Sequence, residues 1–164
     1  MNKMREVKME KVVLSVGGTG EELEKGFRLL KLLTGRNPAK MKTKKRIPSL
    51  GIRPKLDVGA VVTIRKNPED ILKRILAAKN NTLKRSQIDK NNFSFGIKEY
   101  IEIPGTEYQR DIGIRGLDVT VVFKRAGRRV KLKKIKAARI PKKQIISADE
   151  IIKFMEDNLN TKFV

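Results

Sequence analysis

KVVLSVGGTGEELEKGFRLLKLLTG, residues 11–35, carries the pattern on which the fold turns. Its opening residues alternate, with Val12, Leu14 and Val16 on one side and Lys11, Val13 and Ser15 on the other, which is the period of a strand with one apolar face. Glycines end the strand. Thr19 stands three residues before Glu22, the spacing of a capping box, and Leu23, Phe27, Leu30 and Leu33 then recur at helical intervals until Gly35 supplies a stop. The glycines leading into a helix invite a phosphate-loop reading. The Gly-Lys-Ser/Thr of such a loop is missing, however, and Glu21 and Glu22 in the first turn would repel a phosphate, so a tight strand-to-helix turn is the better reading.

Outward from this unit, GAVVTIRK (59–66) repeats the alternation, with Ala60, Val62 and Ile64 opposed to Val61, Thr63 and Arg65. Asn67-Pro68-Glu69-Asp70 has the composition of a helix start, and Ile71, Leu72, Ile75 and Leu76 form an apolar stripe behind it. A polar connector, AKNNTLKRSQIDKNN, leads to SFGIKEYIEIP (94–104), which reads as one strand, and LDVTVVFK (117–124) reads as another. Ser147 and Glu150 have capping-box spacing before Ile151, Ile152, Met155 and Leu159. The order β-α-β-α-β-β-α predicts an α+β fold: a mainly antiparallel sheet with helices packed on one face, the other face left toward a partner. A single domain over 1–164 is expected, with a long basic loop at about 36–58 and a basic extension at about 124–146 followed by a terminal helix.

The 164 residues carry a net charge of +21, distributed unevenly. Eleven Lys/Arg and no Asp/Glu lie between Lys25 and Leu56, and another eleven and none between Val119 and Ala148; elsewhere 17 basic residues face 18 acidic ones. Two segments therefore hold the whole excess, which argues for a polyanionic partner. Arginine beside glycine and proline suits backbone held close to phosphates and disfavours a merely solubilising face. The uncharged centre of the first window, Ile47 to Ile52, lies between Arg46 and Arg53, a pattern of charged base and apolar tip that implies two different contacts.

The chain has neither histidine nor cysteine. The commonest general base and metal ligand is thus missing, and with it disulfides and thiolate zinc sites, so no catalytic residue, metal or cofactor is expected. Glu99, Glu102 and Asp118 stand at no telling spacing. No apolar run approaches the length of a membrane span, and the basic windows hold prolines and glycines outside the clear helices, unlike an amphipathic membrane-binding helix. A cytoplasmic protein without membrane attachment is expected. Phe93 and Phe95 faintly suggest the base-stacking strand of an RNA-recognition motif, but the residue order is wrong and core packing is favoured. On the strands, the hydroxyls of Ser15 and Thr63 face away from the predicted core with Lys11 and Arg65, a set able to bond sugar and phosphate oxygens or to stand simply solvated.

Taken together, MEKVVLSVGGTG (9–20), TGRNPAKMKTKKRIPSLGIRPKLDVGAVVTIR (34–65), FSFGIKEYIEIPGTEY (93–108) and IGIRGLDVTVVF (112–123) resemble the successive signature segments of the large-subunit ribosomal protein five family, over nearly the whole chain. The tail from Lys124 through IPKKQIISADEIIKFME resembles its archaeal and eukaryotic form. The resemblance implies a structural protein of the central protuberance that binds 5S rRNA and large-subunit rRNA and reaches the P-site tRNA. It also implies a neighbouring 5S-binding ribosomal protein, a contribution to an inter-subunit bridge through a small-subunit head protein, and a monomer when free. By position, Ser15, Arg36 and Thr63 match family sites that contact 5S rRNA; the family commonly has asparagine at the first and glutamine at the second, and serine and arginine keep the capacity to hydrogen-bond. The loop over residues 42–55 matches the family's loop toward tRNA. Lys40, Lys42, Lys44 and Lys45 are accordingly expected on rRNA, and Arg46, Pro48, Ser49, Leu50, Gly51 and Arg53 at the tRNA. The competing reading is a basic enzyme or regulator of nucleic acid outside the ribosome.

Overall fold

Strand alternation decides which side chains enter the core. In the computed structural model, which describes residues 4–164, β1 (Lys8–Gly17) buries Val12, Leu14 and Val16, and β3 (Asp57–Ile64) buries Ala60, Val62 and Ile64. β6 (Asn92–Ile97) and β7 (Leu117–Lys124) follow the same rule with Phe93, Phe95 and Ile97, and with Leu117, Val119, Val121 and Phe123. Two short strands, β2 (Ala39–Lys42) and β5 (Ile88–Asp89), complete a mainly antiparallel sheet in the order β2-β3-β1-β7-β6-β5. β2 pairs antiparallel with β3, with a register shift between Met41 and Lys42, and β5 pairs antiparallel with β6. The α+β expectation holds.

The chain divides into two compact units. One comprises Val13–Ile64 and Gly96–Val119. Here α1 (Glu21–Thr34) lays Leu23, Gly26, Leu29 and Leu30 inward and packs on β3. The missing side chain of Gly26 permits the approach, since a Cβ there would lie 2.7 Å from Val16 Cγ1. The predicted Thr19–Glu22 capping box does not form. Gly20 is the N-cap instead, with φ of 58° and no side-chain bond, and its carbonyl accepts from the Leu23 and Glu24 N–H groups. A backbone turned that far from the strand requires glycine.

The strand predicted over 94–104 stops at Ile97. Tyr100–Glu102 is a 3-10 turn, and burial falls on Ile97, Tyr100 and Ile103 at intervals of three while Ile101 is exposed. The polar end of Tyr100 explains the change of period: its buried hydroxyl accepts from the Gln109 N–H at 2.9 Å, and Thr106 Oγ1 bonds the Tyr100 and Ile103 carbonyls at 2.8 and 2.7 Å. A regular strand would have turned Tyr100 to the face opposite Ile97 and Ile103.

The other unit comprises the chain up to Val12, Arg65–Phe95 and Thr120–Val164. In it α2 (Pro68–Ala77) buries Leu72, Ile75 and Leu76; it starts at Pro68 as predicted, but Asn67 is left-handed and its side chain makes no cap. After β7 the basic extension is mostly irregular, with a short α-helix, α3 (Arg129–Leu132), and a 3-10 turn at Lys142–Gln144. The terminal helix α4 (Ala148–Leu159) has the predicted box: Ser147 Oγ accepts from the Glu150 N–H at 3.4 Å and a Glu150 carboxylate oxygen accepts from the Ser147 N–H at 3.1 Å. Phe93, Phe95 and Phe123 stack at centroid distances of 5.9 Å, and Phe154 of α4 meets Phe123 edge-on. The two strand phenylalanines are therefore core residues. β4 (Thr82–Leu83) and β8 (Lys162–Phe163) form a small parallel pair.

Gly116 tests how tightly the first unit is built. A Cβ there would lie 2.6 Å from the Ile97 carbonyl oxygen and 2.8 Å from that of Lys98, both backbone atoms held by the end of β6. Gly116→Ala should lose about 2–3 kcal/mol by urea unfolding, at the upper end of overpacking costs. Gly26→Ala should lose less, about 1 kcal/mol, because it meets a side chain and gains helix propensity.

Candidate nucleic-acid interface

The alternation that fills the core fixes the opposite face. Ser15 and Thr63 are half-buried on the sides of β1 and β3 turned away from the buried set, and neither hydroxyl has a hydrogen-bond partner among the described residues. Ser15 lines a shallow pocket of about 270 Å³ with Gly17, Arg115 and Asp118. Arg115 is a residue that sequence reasoning misses. It enters because Gly116 draws the chain against β6, and its guanidinium, held 3.8 Å from the Glu22 carboxylate, is largely covered. Only its place in the IGIRGLD segment points to it.

Arg36 is exposed just past the helix stop, where Gly35 is left-handed at φ 64° and donates to the Lys31 carbonyl; the Arg36 N–H donates to Thr34 Oγ1 at 3.3 Å. The segment expected as a long loop is largely a hairpin. β2 occupies its first part, and beyond it the backbone of Thr43 continues the ladder, its N–H donating to the Leu56 carbonyl and its carbonyl accepting from the Lys55 N–H, both at 2.9 Å. Thr43 Oγ1 donates to the Arg53 carbonyl at 2.6 Å, and Ile47 and Ile52 pair across the tip. Pro48–Leu50 is a 3-10 turn closed by left-handed Gly51. The four tip residues Pro48, Ser49, Leu50 and Gly51 are exposed, Leu50 at 69% despite its apolar side chain.

Lysine positions along this hairpin differ in kind. Lys40 on β2 pairs with Glu24 of α1 and stands 5.5 Å from the Phe27 ring centre, so its charge is tied to the helix. The Glu24 hydrogen bond raises its pKa above the ordinary lysine value, with Asp57 adding a weaker pull in the same direction. Arg36, Lys42, Lys44, Lys45, Arg46, Arg53 and Lys55 have no ion-pair partner among the described residues and are exposed. Like charges this dense repel one another, and a phosphate backbone relieves that repulsion. In the other unit, Lys11 is half-buried on β1 and Arg65 is exposed immediately after β3. Among the described residues no three His, Cys, Asp or Glu side chains are placed to hold a metal ion, and no helix is long and apolar enough to cross a membrane.

Comparison with known proteins supplies what geometry alone does not. A family model for the C-terminus of the ribosomal L5 family matches residues 57–154. The large ribosomal subunit protein uL5 of Methanobrevibacter smithii is 38% identical, the alignment covering 100% of this chain and 99% of the relative. The chain belongs to the ribosomal L5 family. Its similarity to uL5 of Sulfurisphaera tokodaii is 40% identity over 100% of this chain and 96% of that one, and to uL5 of Nanoarchaeum equitans 39% over 98% of each. Membership is of the archaeal type, and the family is structural and non-enzymatic.

The Lys40 pair gives a direct measurement. Glu24→Gln should move the Lys40 ammonium titration down toward 10.5, read by NMR at the side-chain nitrogen. Because the folded-state pKa is raised, the contribution of the lysine shift to stability is present below 10.5 and is lost as pH rises through the Lys40 titration. An unchanged Lys40 titration in the variant would show that the contact is not formed in solution.

Proposed function

We propose that this ribosomal L5 family member is a structural constituent of the large ribosomal subunit that binds 5S rRNA, with no chemistry of its own. The carrying observation is the pair of unpartnered hydroxyls, Ser15 and Thr63, turned away from the core in the same unit as a hairpin with unpaired cations. Hydroxyls bond sugar or phosphate oxygens and cations neutralise phosphates, which fixes a protein on a duplex without reading bases. Arg36, Lys42, Lys44 and Lys45 hold the base of the hairpin to rRNA. Lys40 joins them with its charge already partly balanced by Glu24, and Lys11 and Arg65 supply further phosphate contacts. The hairpin tip, Pro48 to Gly51 between Arg46 and Arg53, extends to the P-site tRNA. A neighbouring 5S-binding protein and a small-subunit head protein complete its surroundings, and the free protein is a monomer in the cytoplasm.

Two measurements test this reading. Binding to 5S rRNA should weaken with salt, log affinity falling against log salt with a slope of roughly −4 to −7 if about six to eight phosphates are neutralised. Thr63→Val should cost about 0.5–1.5 kcal/mol of that affinity, one hydrogen bond, with little change in stability. A flat salt titration and an unaffected variant together would leave the charge as a solubilising coat.

Replacement of Pro48–Gly51 by a Gly-Ser link should leave 5S rRNA affinity within about 1 kcal/mol of the parent. The same ribosomes should retain P-site tRNA less well in filter binding. Charge reversal at Lys42, Lys44 and Lys45 should instead block assembly. Equal loss of 5S rRNA binding from both changes would mean that the hairpin acts as one surface.

A further inference from the structure

The second basic window folds around a cavity. Between the end of β7 and the stretch leading to α4, within one unit, lies a space of about 560 Å³ walled by Lys124, Arg125, Arg128, Lys131 and Arg139 and by no carboxylate. Its apolar lining includes Phe123, Ile140 and Ile145, and Asn91, whose Oδ1 accepts from the Ile146 N–H, and Gln144 line it as well. The volume falls within the range of pockets that enclose small ligands, about 300–1,000 Å³.

Two of the five cations are committed. Arg125, its side chain only 10% exposed, donates to the Lys143 carbonyl at 2.7 Å and to Glu150 Oε1 at 2.5 Å. Arg128 donates to Glu10 Oε2 at 2.5 Å. Their ion pairs hold the wall in place and neutralise their charge. Lys124, Lys131 and Arg139 have no ion-pair partner among the described residues, which leaves the wall with a net positive charge of three beside apolar side chains. In addition the Arg125 Nε–H is buried with no acceptor, a donor still unsatisfied at the same wall.

Cations and apolar side chains lining one cavity match the two halves of a nucleotide: a phosphate that needs charge, and a base whose face is apolar and whose edge takes amide hydrogen bonds. We infer that this cavity receives a single unstacked nucleotide of RNA, the phosphate at Lys131 and Arg139 and the base over Ile140 and Ile145. Single-stranded bases splayed from a helix are what proteins bind in this way. Lys134, Lys136 and Lys142, exposed on the same excursion, lie along the chain to meet flanking phosphates. The inference rests on the reading of this protein as an RNA binder, but it concerns a site separate from the hydroxyl-bearing strands.

The test uses the full chain with labelled isoleucine methyls, titrated with an adenylate pentanucleotide, AMP, adenosine and inorganic phosphate. The pentanucleotide should shift Ile140 and Ile145 and bind at least about tenfold more tightly than AMP, because flanking phosphates add contacts. Lys131→Glu with Arg139→Glu should weaken AMP binding at least about tenfold, and Lys134→Glu with Lys136→Glu, the same charge change at positions that reach only flanking phosphates, should weaken it less than about threefold. Ala138→Leu, which narrows the cavity without altering charge, should abolish the shift by AMP and leave phosphate binding. Dispersed methyl spectra without ligand confirm folding of each variant. The proposal is overturned if the methyls do not move, if phosphate alone moves them as far as AMP does, or if AMP binds as tightly as the pentanucleotide. Equal loss from both charge variants, or displacement of the pentanucleotide by a glutamate-rich peptide, overturns it too. Thr63→Val should leave these shifts unchanged, so a failure of 5S rRNA binding with the shifts intact would fall on the proposed function, and the reverse on the cavity.

Discussion

Self-repulsion is the constraint under which this protein folds. A net charge of +21 opposes any compact state, and its cost is contained because the excess sits in two windows while the rest of the chain is balanced. Each window is then treated differently. The first runs from α1 into a hairpin whose backbone bonds run from Thr43 to Ile52 and whose side chains reach solvent, with Arg28 and Lys40 returned to carboxylates. The second is folded against the end of β7 by two arginines that reach acids elsewhere in the chain. Solvent separates the charges in one case and counter-charges do so in the other. Both arrangements leave cations presented and unspent.

That presentation depends on the strands beneath it. With Val12, Leu14 and Val16 committed to the core, a period of two leaves Ser15 no choice of face, and Val62 and Ile64 constrain Thr63 in the same way. Packing of α1 through Gly26 secures the buried side. The candidate contacts are thus a by-product of core formation: stability and binding are written into alternate residues of the same strands, so each set can vary without disturbing the other.

Much of this is legible in the sequence because it is local. Alternation in β1, β3 and β7, the helical stripes and the Ser147–Glu150 box are all decided by residues within a few positions of each other. What differs from expectation is of another kind. The strand predicted through 94–104 ends early because the Tyr100 hydroxyl is satisfied by Gln109, nine residues on, which no alternation in the segment announces. Thr19 loses the cap to Gly20 through backbone conformation alone. The hairpin in the first window reads as a loop because β2 holds only four residues, all exposed, and owes its form to pairing with β3. Arg115 and the cavity near β7 depend on close approaches and on ion pairs between distant parts of the chain, and neither leaves a local pattern.

Glu150 accepts from the Ser147 N–H at the start of α4 and also binds Arg125. Arg125 precedes it by 25 residues, while the partner of Arg128 is Glu10, 118 positions earlier. During synthesis the basic excursion therefore emerges with one of its anchors already made and the other still to come. Until α4 has been translated and capped, Arg125 has no counter-ion there, and of the two anchors the excursion has the Arg128–Glu10 pair. The final shape of the excursion is timed by the helix that follows it, so the nascent chain acquires its second basic surface late, after the sheet strands that precede it have been made.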